Sequence, residues 1–288
     1  MRNTTMLEFS FVIPCYNNIE LLKKTLAGLC LNQGKAWFEV ILVDNNSFEE
    51  DIDEAYRKYV DKLELYLLRQ PRLAHPKATC RARNLGLALA RGEWIVNLDA
   101  DCVPMPDYLS HLRTHLETIG RDNSIIAGLR RFVDLSHHTE DDILEGSVDY
   151  AALPRVRSPS NYDRVEDRRL PYLEHLGDSE HPWAYFHSCN IAYRKSTAVA
   201  VDGFDEAFDG AWGYEDVDFA HRMITLGRAI PRYLPGIDCL HQDSELSNSQ
   251  NRFDKVGNPN WRIITKRIPG YEQYKTKQYQ ELNKEIHL

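Results

Sequence analysis

The sequence predicts an α/β fold in which a doubly wound, mostly parallel sheet forms a single fused domain. Between residues 8 and 101, apolar runs of strand length alternate with segments that carry apolar residues at helical spacing. Each of these apolar runs ends in polar residues, which is typical of strands whose carboxyl ends border a ligand crevice. The chain has 288 residues, of which 43% are hydrophobic, so it can bury a large core.

The first half has a regular order of strands and helices. The run "EFSFVIPC" at 8–15 reads as a buried strand, and the next segment is helical because Leu22, Leu26 and Leu29 share one face. The pattern then predicts strands at 38–47, 63–70 and 93–101, and helices at 49–62 and 80–92.

The second half is less regular. Charged residues, prolines and histidines without clean periodicity predict loops and short helices between residues 134 and 182. We predict strands at 124–134 and 184–195, an amphipathic helix that Gly227 ends, and a surface helix in the polar segment after Ser244.

Composition excludes several classes of protein. With a net charge of −8 and a pI near 5.8, the chain lacks the overall basic surface that nucleic-acid binding needs. No stretch approaches the ~20 apolar residues of a membrane span, and Glu8 and Pro14 interrupt the first apolar run, so it does not read as a signal peptide. The six cysteines form no C-x-x-C pair, which favours reduced, buried thiols. We expect a cytoplasmic protein, with peripheral attachment to a membrane left open.

Polar residues collect at the ends of three predicted strands, at 15–18, 44–47 and 99–101. The carboxyl ends of parallel strands meet at the same edge of a sheet, so these clusters should converge on one crevice. The sequence contains neither the G-x-x-x-x-G-K-[ST] loop nor, after the first strand, the G-x-G-x-x-G loop that cradle phosphates in other folds. If this crevice holds a phosphate, we therefore expect a metal ion to help.

Two carboxylates, Asp99 and Asp101, lie one residue apart in "VNLDADCVP". Neighbouring carboxylates repel each other. A divalent cation bound to a diphosphate would offset this repulsion, since carboxylate oxygens are ligands for such ions. The alternative is a solvated surface turn, where acidic pairs occur by chance.

Four segments of the sequence occur in a characteristic order: "FVIPCYNNIELLKKTL", "VILVDNNS", "RARNLGLALARGEWIVNLDADCVP" and "GFDEAFDGAWGYEDVDFAHRM". In this order they resemble the motifs of the family-2 glycosyltransferases, which have the type A nucleotide-diphosphosugar transferase fold. A narrower likeness is to the hexosamine-transferring half of bacterial chondroitin and hyaluronan polymerases, through "CRARNLGL", "RRFVD", "WGYEDVDF" and "LHQDSE".

The resemblance implies a metal site. Asp101 would ligate Mn²⁺ or Mg²⁺, and Asp99 would bind either the ribose hydroxyls or the metal. His241, in "CLHQD", would be a further ligand on a loop that closes over the donor. An imidazole ligand suits Mn²⁺ better than Mg²⁺.

The resemblance also implies a donor site. Pro14, Tyr16 and Asp44 would shape the uridine pocket, with Asp44 accepting a hydrogen bond from the uracil N–H. Arg83 would lie near the nucleotide. Independently of the resemblance, the position of Asn190 at the end of the strand before the "WGYEDVDF" segment predicts a contact with the donor sugar. Structural roles are the alternatives for three of these: Tyr16 as a strand cap, Asp44 as an N-cap of the next helix, and Arg83 as a surface residue.

The segment "WGYEDVDF" would carry the reaction. In the family motif the second residue of the E-D pair is the base that takes the proton of the acceptor hydroxyl, and this residue is Asp216 here. Glu215 would hydrogen-bond the sugar or the acceptor, and Trp212 would stack on a sugar face. The alternative is that these acidic residues complement a helix N-terminus. Tyr214 stands where the polymerases have a second glycine, which predicts a narrower sugar pocket.

The resemblance therefore implies an inverting, metal-dependent transferase that moves a hexose or N-acetylhexosamine from a UDP-sugar to a hydroxyl of a glycan or small-molecule acceptor. It divides the chain into a nucleotide-sugar-binding half at 1–105, an acceptor half with the catalytic base at 106–243 and a polar tail at 244–288. Two alternatives stay open: a retaining UDP-sugar transferase of the same fold, and a sugar-nucleotide-binding subunit without turnover.

Overall fold

The computed structural model describes residues 8–47, 52–71, 78–120, 122–158, 164–242 and 257–286. The strands in these ranges are β1 Phe9–Cys15, β2 Phe38–Asp44, β3 Leu65–Arg69, β4 Trp94–Leu98, β5 Cys102–Pro104, β6 Ser124–Ala127, β7 Arg130–Val133, β8 Asn190–Arg194, β9 Ile230–Tyr233 and β10 Cys239–Gln242. The helices are α1 Ile19–Cys30, α2 Ile52–Tyr59, α3 Thr79–Leu89, α4 Tyr108–Thr118, α5 Glu140–Leu144, α6 Leu170–Leu173, α7 Lys195–Ala200, α8 Glu215–Thr225, α9 Pro259–Arg267 and α10 Tyr271–Ile286.

Seven strands form the main sheet in the order β3, β2, β1, β4, β8, β6, β9. β1 runs parallel to β2 and β4, whereas β8 runs antiparallel to β4 and β6. The chain moves outward from β1 to β3 and then returns to place β4 on the other side of β1. The strand order therefore reverses between β1 and β4, where doubly wound folds bind their ligands. The predicted fold class is confirmed.

Helices cover both faces of the main sheet because successive strand residues point to opposite sides. Phe9, Phe11 and Ile13 of β1 belong to a core that includes residues of α1, α2 and α4. Val12 of the same strand belongs to a second core that includes residues of α3, α7 and α8. With both faces covered, β1 is apolar along most of its length, and this run of apolar residues predicted the strand.

A second sheet has three strands in the order β5, β10, β7. β10 runs antiparallel to β5, and their register places His241 opposite Cys102. The expectation that His241 lies on a loop is wrong, because the backbone of β10 pairs with strands on both sides. This small sheet carries the imidazole next to the D-x-D segment.

Two strand predictions need correction. The strand predicted at 124–134 is two strands, since β6 joins the main sheet and β7 joins the small one. The chain changes sheets at Gly128, where a Cβ would lie 2.0 Å from the Ile237 carbonyl oxygen, so this crossing requires glycine. The strand predicted at 184–195 shortens to β8, because residues 182–185 form a turn of 3₁₀-helix.

The predicted polar tail contains two helices where the sequence predicted one. α9 and α10 pack on the rest of the chain through buried apolar residues, among them Ile264, Ile268 and Tyr271. Within the described ranges, no helix has the length and hydropathy of a membrane span. The division of the chain into three parts stays a prediction.

The contact between α3 and β1 leads to a stability prediction at Gly86. A Cβ on Gly86 would lie 2.3 Å from Cγ1 of Val12 and 3.1 Å from Cγ2. In an open helix position Gly→Ala stabilises by about 1 kcal/mol, whereas overpacking here should make Gly86→Ala destabilising by about 1–3 kcal/mol. Urea unfolding measures the change. Leu89→Ala is the control on the same helix, since Leu89 is 53% exposed, and a Gly86→Ala protein as stable as the parent would contradict the packing.

Candidate active site

A crevice of about 300 Å³ opens at the carboxyl ends of β1 and β4. Its walls are the turn after β1, the D-x-D turn after β4, the first turns of α3 and the loop that leads into α8. The predicted site residues that line it are Pro14, Tyr16, Arg83, Asp99, Asp101, Trp212 and Glu215. Segments that are far apart in the sequence therefore meet in one cavity, as the resemblance implied.

Hydrogen bonds to the backbone hold the D-x-D turn. Thr25 Oγ1 on α1 donates to the Ala100 carbonyl at 2.8 Å, and the Gln242 N–H on β10 donates to the Asp101 carbonyl at 2.9 Å. The Cys102 N–H donates to the Asp99 carbonyl at 3.0 Å and closes the turn. Hydrogen bonds within the fold thus fix the backbone of the turn that carries the two carboxylates.

Three side chains at this turn could hold a metal ion. One ligand atom each from Asp101, Cys102 and His241 lie within 4.8 Å of one another. His241 Nε2 is 3.9 Å from Asp101 Oδ1, and Cys102 Sγ donates to the same oxygen at 3.6 Å. Asp99, the other predicted ligand, pairs instead with Arg83 at 3.1 Å.

The surroundings of His241 orient its ring toward Asp101. Nδ1 lies 3.1 Å from the Gln242 carbonyl oxygen, and the Phe132 ring packs 4.9 Å from the imidazole. With the proton on Nδ1 donated to this carbonyl, Nε2 presents a lone pair to a metal. A carboxylate and a neutral imidazole fit Mn²⁺. Burial raises the pKa of Asp101, so metal binding should weaken as pH falls.

Arg83 on α3 joins the two acidic motifs. Its Nη2 donates to Asp99 Oδ1 at 3.1 Å and its Nη1 donates to Glu215 Oε1 at 3.2 Å. The residue is only 4% exposed, and its guanidinium also lies over the Phe204 ring at 5.3 Å. The alternative of a surface residue is therefore wrong. Arg83 is a buried cation shared by two carboxylates.

The acidic pair Glu215 and Asp216 begins α8. Burial raises the pKa of Glu215 to about 7, with Asp216 adding to the increase and Arg83 opposing it. Burial also raises the pKa of Asp216, whose Oδ1 accepts the Val217 N–H at 2.8 Å. Glu215 lines the crevice and Asp216 is not among its lining residues. A carboxyl with a pKa of about 7, such as that of Glu215, can exchange a proton near neutral pH.

Only some of the residues predicted to form the uridine pocket line the crevice. Pro14 and Tyr16 line the crevice, whereas Asp44 is 5% exposed and does not. Asp44 Oδ1 accepts the Ser47 N–H at 2.8 Å, and Ser47 Oγ accepts the Asn17 N–H at 2.8 Å. Asp44 therefore ties the turn after β2 to the turn after β1.

Asn190 is not brought to the crevice. Its side chain is fully buried, and Nδ2 donates to the carbonyls of Leu129 and Ile237 at 3.1 and 2.7 Å. Its Oδ1 accepts the Tyr108 hydroxyl at 2.7 Å. These hydrogen bonds occupy the amide, so the structure gives Asn190 a role in joining the two sheets and no contact with a donor sugar.

The loop before α8 places two aromatic residues differently. Trp212 lines the crevice and is 43% exposed, so its ring is accessible to a sugar. Tyr214 packs its ring against Trp261 and Tyr271 at centroid distances of 5.6 and 6.2 Å. Tyr214 is not a lining residue, and it does not narrow this crevice as the sequence suggested.

Sequence reasoning missed Asp209. This lining residue accepts the N–H groups of Cys80 and Arg81 at 2.8 and 3.2 Å, and it thereby caps α3 from the opposite wall. The available signal was the residue before α3, Ala78, which has no side chain able to cap a helix. A helix that begins without its own cap needs an acceptor from elsewhere in the fold.

Comparison with models of known protein families identifies the family of this chain. The model of glycosyl transferase family 2 matches residues 10–197, more than half of the chain. The chain belongs to this family. A second model, of the N-terminal domain of galactosyltransferase, matches residues 173–241 and so includes α8 and His241.

Curated relatives of this family-2 chain include two polymer synthases. Chondroitin synthase of Escherichia coli is 28% identical over 280 residues, which cover 93% of this chain and 39% of the relative. Hyaluronan synthase of Pasteurella multocida is 29% identical over 270 residues, which cover 90% of this chain and 27% of the relative. The chain thus spans between a quarter and two fifths of the length of these relatives.

Solved structures show the same fold at low identity. TarS 1-349 of S. aureus in complex with UDP-GlcNAc has a TM-score of 0.56 and 18% identity, covering 83% of this chain and 59% of that one. The mannosyltransferase PcManGT of Pyrobaculum calidifontis in complex with GDP-Man and Mn²⁺ has a TM-score of 0.52 and 19% identity, covering 82% and 57%. These likenesses establish the fold alone.

The raised pKa of Glu215 leads to a prediction for stability against pH. A carboxyl whose pKa is about 7 in the folded protein, against an ordinary value of 4.5, stabilises the fold while it is protonated. This contribution is fully present below pH 4.5 and is lost as pH rises through 7. Glu215→Gln keeps the neutral form at every pH. As pH rises from 5 to 8, the Tm of Glu215→Gln should therefore rise relative to that of the parent.

Thermal unfolding of both proteins across this pH range measures the difference. Glu117→Gln on α4 is the control, because Glu117 is exposed. Equal Tm differences between Glu215→Gln and the parent at pH 5 and pH 8 would contradict the burial argument.

Proposed function

We propose that this chain is an inverting, metal-dependent glycosyltransferase that moves a hexose or N-acetylhexosamine from a UDP-sugar to a hydroxyl of a glycan or small-molecule acceptor. One observation carries the proposal. Asp101 of a potential metal site, the buried Arg83 and Glu215 of the acidic pair line one crevice at the sheet's point of strand reversal, and His241 lies 3.9 Å from Asp101. This arrangement supplies the parts that transfer from a sugar diphosphate requires.

The nucleotide would occupy the part of the crevice between the turn after β1 and the first turn of α3. Tyr16 and Pro14 offer an apolar wall to a base there. The family relationship and the binding of UDP-GlcNAc by the similar TarS fold support a sugar nucleotide as the ligand. Trp212 lines the crevice from the loop before α8, where its exposed ring would stack on the donor sugar.

Asp101 and His241 would hold a divalent cation beside the diphosphate. When bound, such an ion stabilises the charge that develops on the leaving nucleotide. Mn²⁺ is the ion we propose, because the ligand set includes an imidazole and because the similar mannosyltransferase structure contains Mn²⁺. Asp99, held by Arg83, is then available to accept hydrogen bonds from the ribose hydroxyls.

Asp216 would take the proton of the acceptor hydroxyl. Its raised pKa makes the carboxylate a better base than an exposed aspartate. Glu215, fixed by Arg83, would accept a hydrogen bond from the sugar or the acceptor and keep the hydroxyl in line with the anomeric carbon. Attack from the face opposite the nucleotide inverts the configuration of that carbon.

Metal and nucleotide binding can be measured without knowing the acceptor. UDP with Mn²⁺ should raise the Tm, because a ligand that binds only the native state stabilises it. Asp101→Asn and His241→Asn should each lose most of this rise. His137→Asn, an exposed histidine, is the matched control and should keep it. If the Tm of the parent protein does not change when Mn²⁺ and UDP are added together, the proposal is contradicted.

Asp216 has a separate test in turnover. A screen of UDP-hexoses and UDP-N-acetylhexosamines by thermal shift identifies the donor, and its transfer or hydrolysis gives a rate. Asp216→Asn should lower kcat by about 10²–10⁴-fold, since general base catalysis contributes this much, and should leave UDP binding intact. Asp61→Asn at an exposed position is the control. A full rate in Asp216→Asn, or a product with retained configuration by NMR, would contradict the mechanism.

A further inference from the structure

We propose that α9 positions the acidic pair, and that Asn260 is a positioning residue for the reaction. This inference rests on the proposed function, in which Glu215 and Asp216 act on the acceptor. Both family models end at or before residue 241, so α9 lies outside them. Three independent sets of contacts connect this helix to the residues on either side of the acidic pair.

The first set holds the carbonyls of the loop that leads into α8. Asn260 is 1% exposed, and its Nδ2 donates to the carbonyls of Phe208 and Gly213 at 2.8 and 3.0 Å. Asn258 Nδ2 donates to the Trp212 carbonyl at 2.9 Å. Two side chains at the start of α9 therefore bind three carbonyls of a loop that lines the crevice.

The second set concerns a backbone conformation that the loop does not favour by itself. Gly210, Gly213 and Tyr214 have φ values of 92°, 84° and 73°. Glycine adopts this region readily, but a residue with a Cβ pays roughly 1–2 kcal/mol for it. Tyr214 precedes Glu215 directly, and its ring packs on Trp261 of α9 and Tyr271 of α10. The ring contacts of Tyr214 and the hydrogen bond from Asn260 to the neighbouring Gly213 carbonyl together hold Tyr214 in this strained conformation.

The third set lies two residues beyond the acidic pair, within the first turn of α8. Arg267, at the end of α9, donates from Nη1 to Asp218 Oδ1 at 3.0 Å and from Nη2 to Asp205 Oδ2 at 2.5 Å. Asp218 is 2% exposed and also accepts Arg222 Nε at 2.8 Å. Contacts with α9 thus hold residues on both sides of the acidic pair, Gly213 and Tyr214 before it and Asp218 after it.

These contacts should matter for chemistry more than for nucleotide binding. The potential metal ligands lie on β10 and in the turn after β4, which other hydrogen bonds hold. Loss of the Asn260 amide frees the loop that aims Glu215 and Asp216, and small errors in aim can lower the rate by up to about 10²-fold. UDP, which lacks the sugar, should still bind.

The experiment compares Asn260→Ala with the parent and with Lys266→Ala, an exposed change on the same helix. We expect Asn260→Ala to lower kcat by about 10–100-fold while the Kd of UDP with Mn²⁺ changes less than twofold. Hydrogen exchange should accelerate at backbone amides 208–216 and stay unchanged in β1 and β4. Lys266→Ala should match the parent in all three measurements.

A second variant covers the case in which Asn260→Ala does not fold. Asn258→Asp keeps the oxygen that caps α9 by accepting the Asn260 N–H at 2.9 Å, and it removes the donor to Trp212. It should reproduce the same pattern, with a smaller loss of kcat. A normal kcat and normal exchange in the folded variants would overturn the inference, as would a parallel loss of UDP binding.

The two proposals fail in distinguishable ways. If the parent turns over no UDP-sugar, the proposed function fails, and exchange at 208–216 still shows whether α9 holds the loop. If the parent is active and Asn260→Ala is equally active, the function stands and the positioning role of Asn260 fails.

Discussion

The ion pairs of Arg83 are the interaction on which the rest of the site depends. A guanidinium that is 4% exposed donates to Asp99 in the D-x-D turn and to Glu215 at the start of α8. Removing Arg83 would leave acceptor oxygens on both carboxylates without their shared donor, at a cost of about 1–3 kcal/mol for a buried acceptor. The two walls of the crevice are therefore held at a fixed separation. Arg83 can do this because α3 packs directly on β1, where Gly86 allows close approach.

One arginine does not neutralise all of the carboxylates near this crevice. Burial raises the pKa values of both Asp101 and Asp216. The ionised form of each carboxyl is therefore disfavoured at this place in the fold. In the proposed reaction, positive charge stabilises the two carboxylates at different places. A divalent ion reaches Asp101, and the acceptor proton reaches Asp216. Catalysis and charge balance then follow from the same arrangement of side chains.

The sequence predicts the elements of the fold better than the contacts between them. Strands of the doubly wound half are recognisable because burial on both faces makes them apolar, and their polar ends locate the crevice. The partners of Arg83 are 16 and 132 residues away, so no local pattern indicates them. Asn190 looked like a ligand-binding residue because a polar side chain at a strand end has the same sequence signature whether it faces a ligand or joins two sheets. The role of Asn260 has no sequence signal, since it depends on backbone carbonyls.

We propose that a divalent ion bound between a carboxylate and an imidazole completes the crevice. Anomalous diffraction at the manganese absorption edge, from crystals grown with Mn²⁺ and UDP, tests it most directly. We expect a single strong peak within bonding distance of both Asp101 and His241 Nε2, in contact with the diphosphate. A well-ordered UDP with no manganese peak at these two side chains would contradict it.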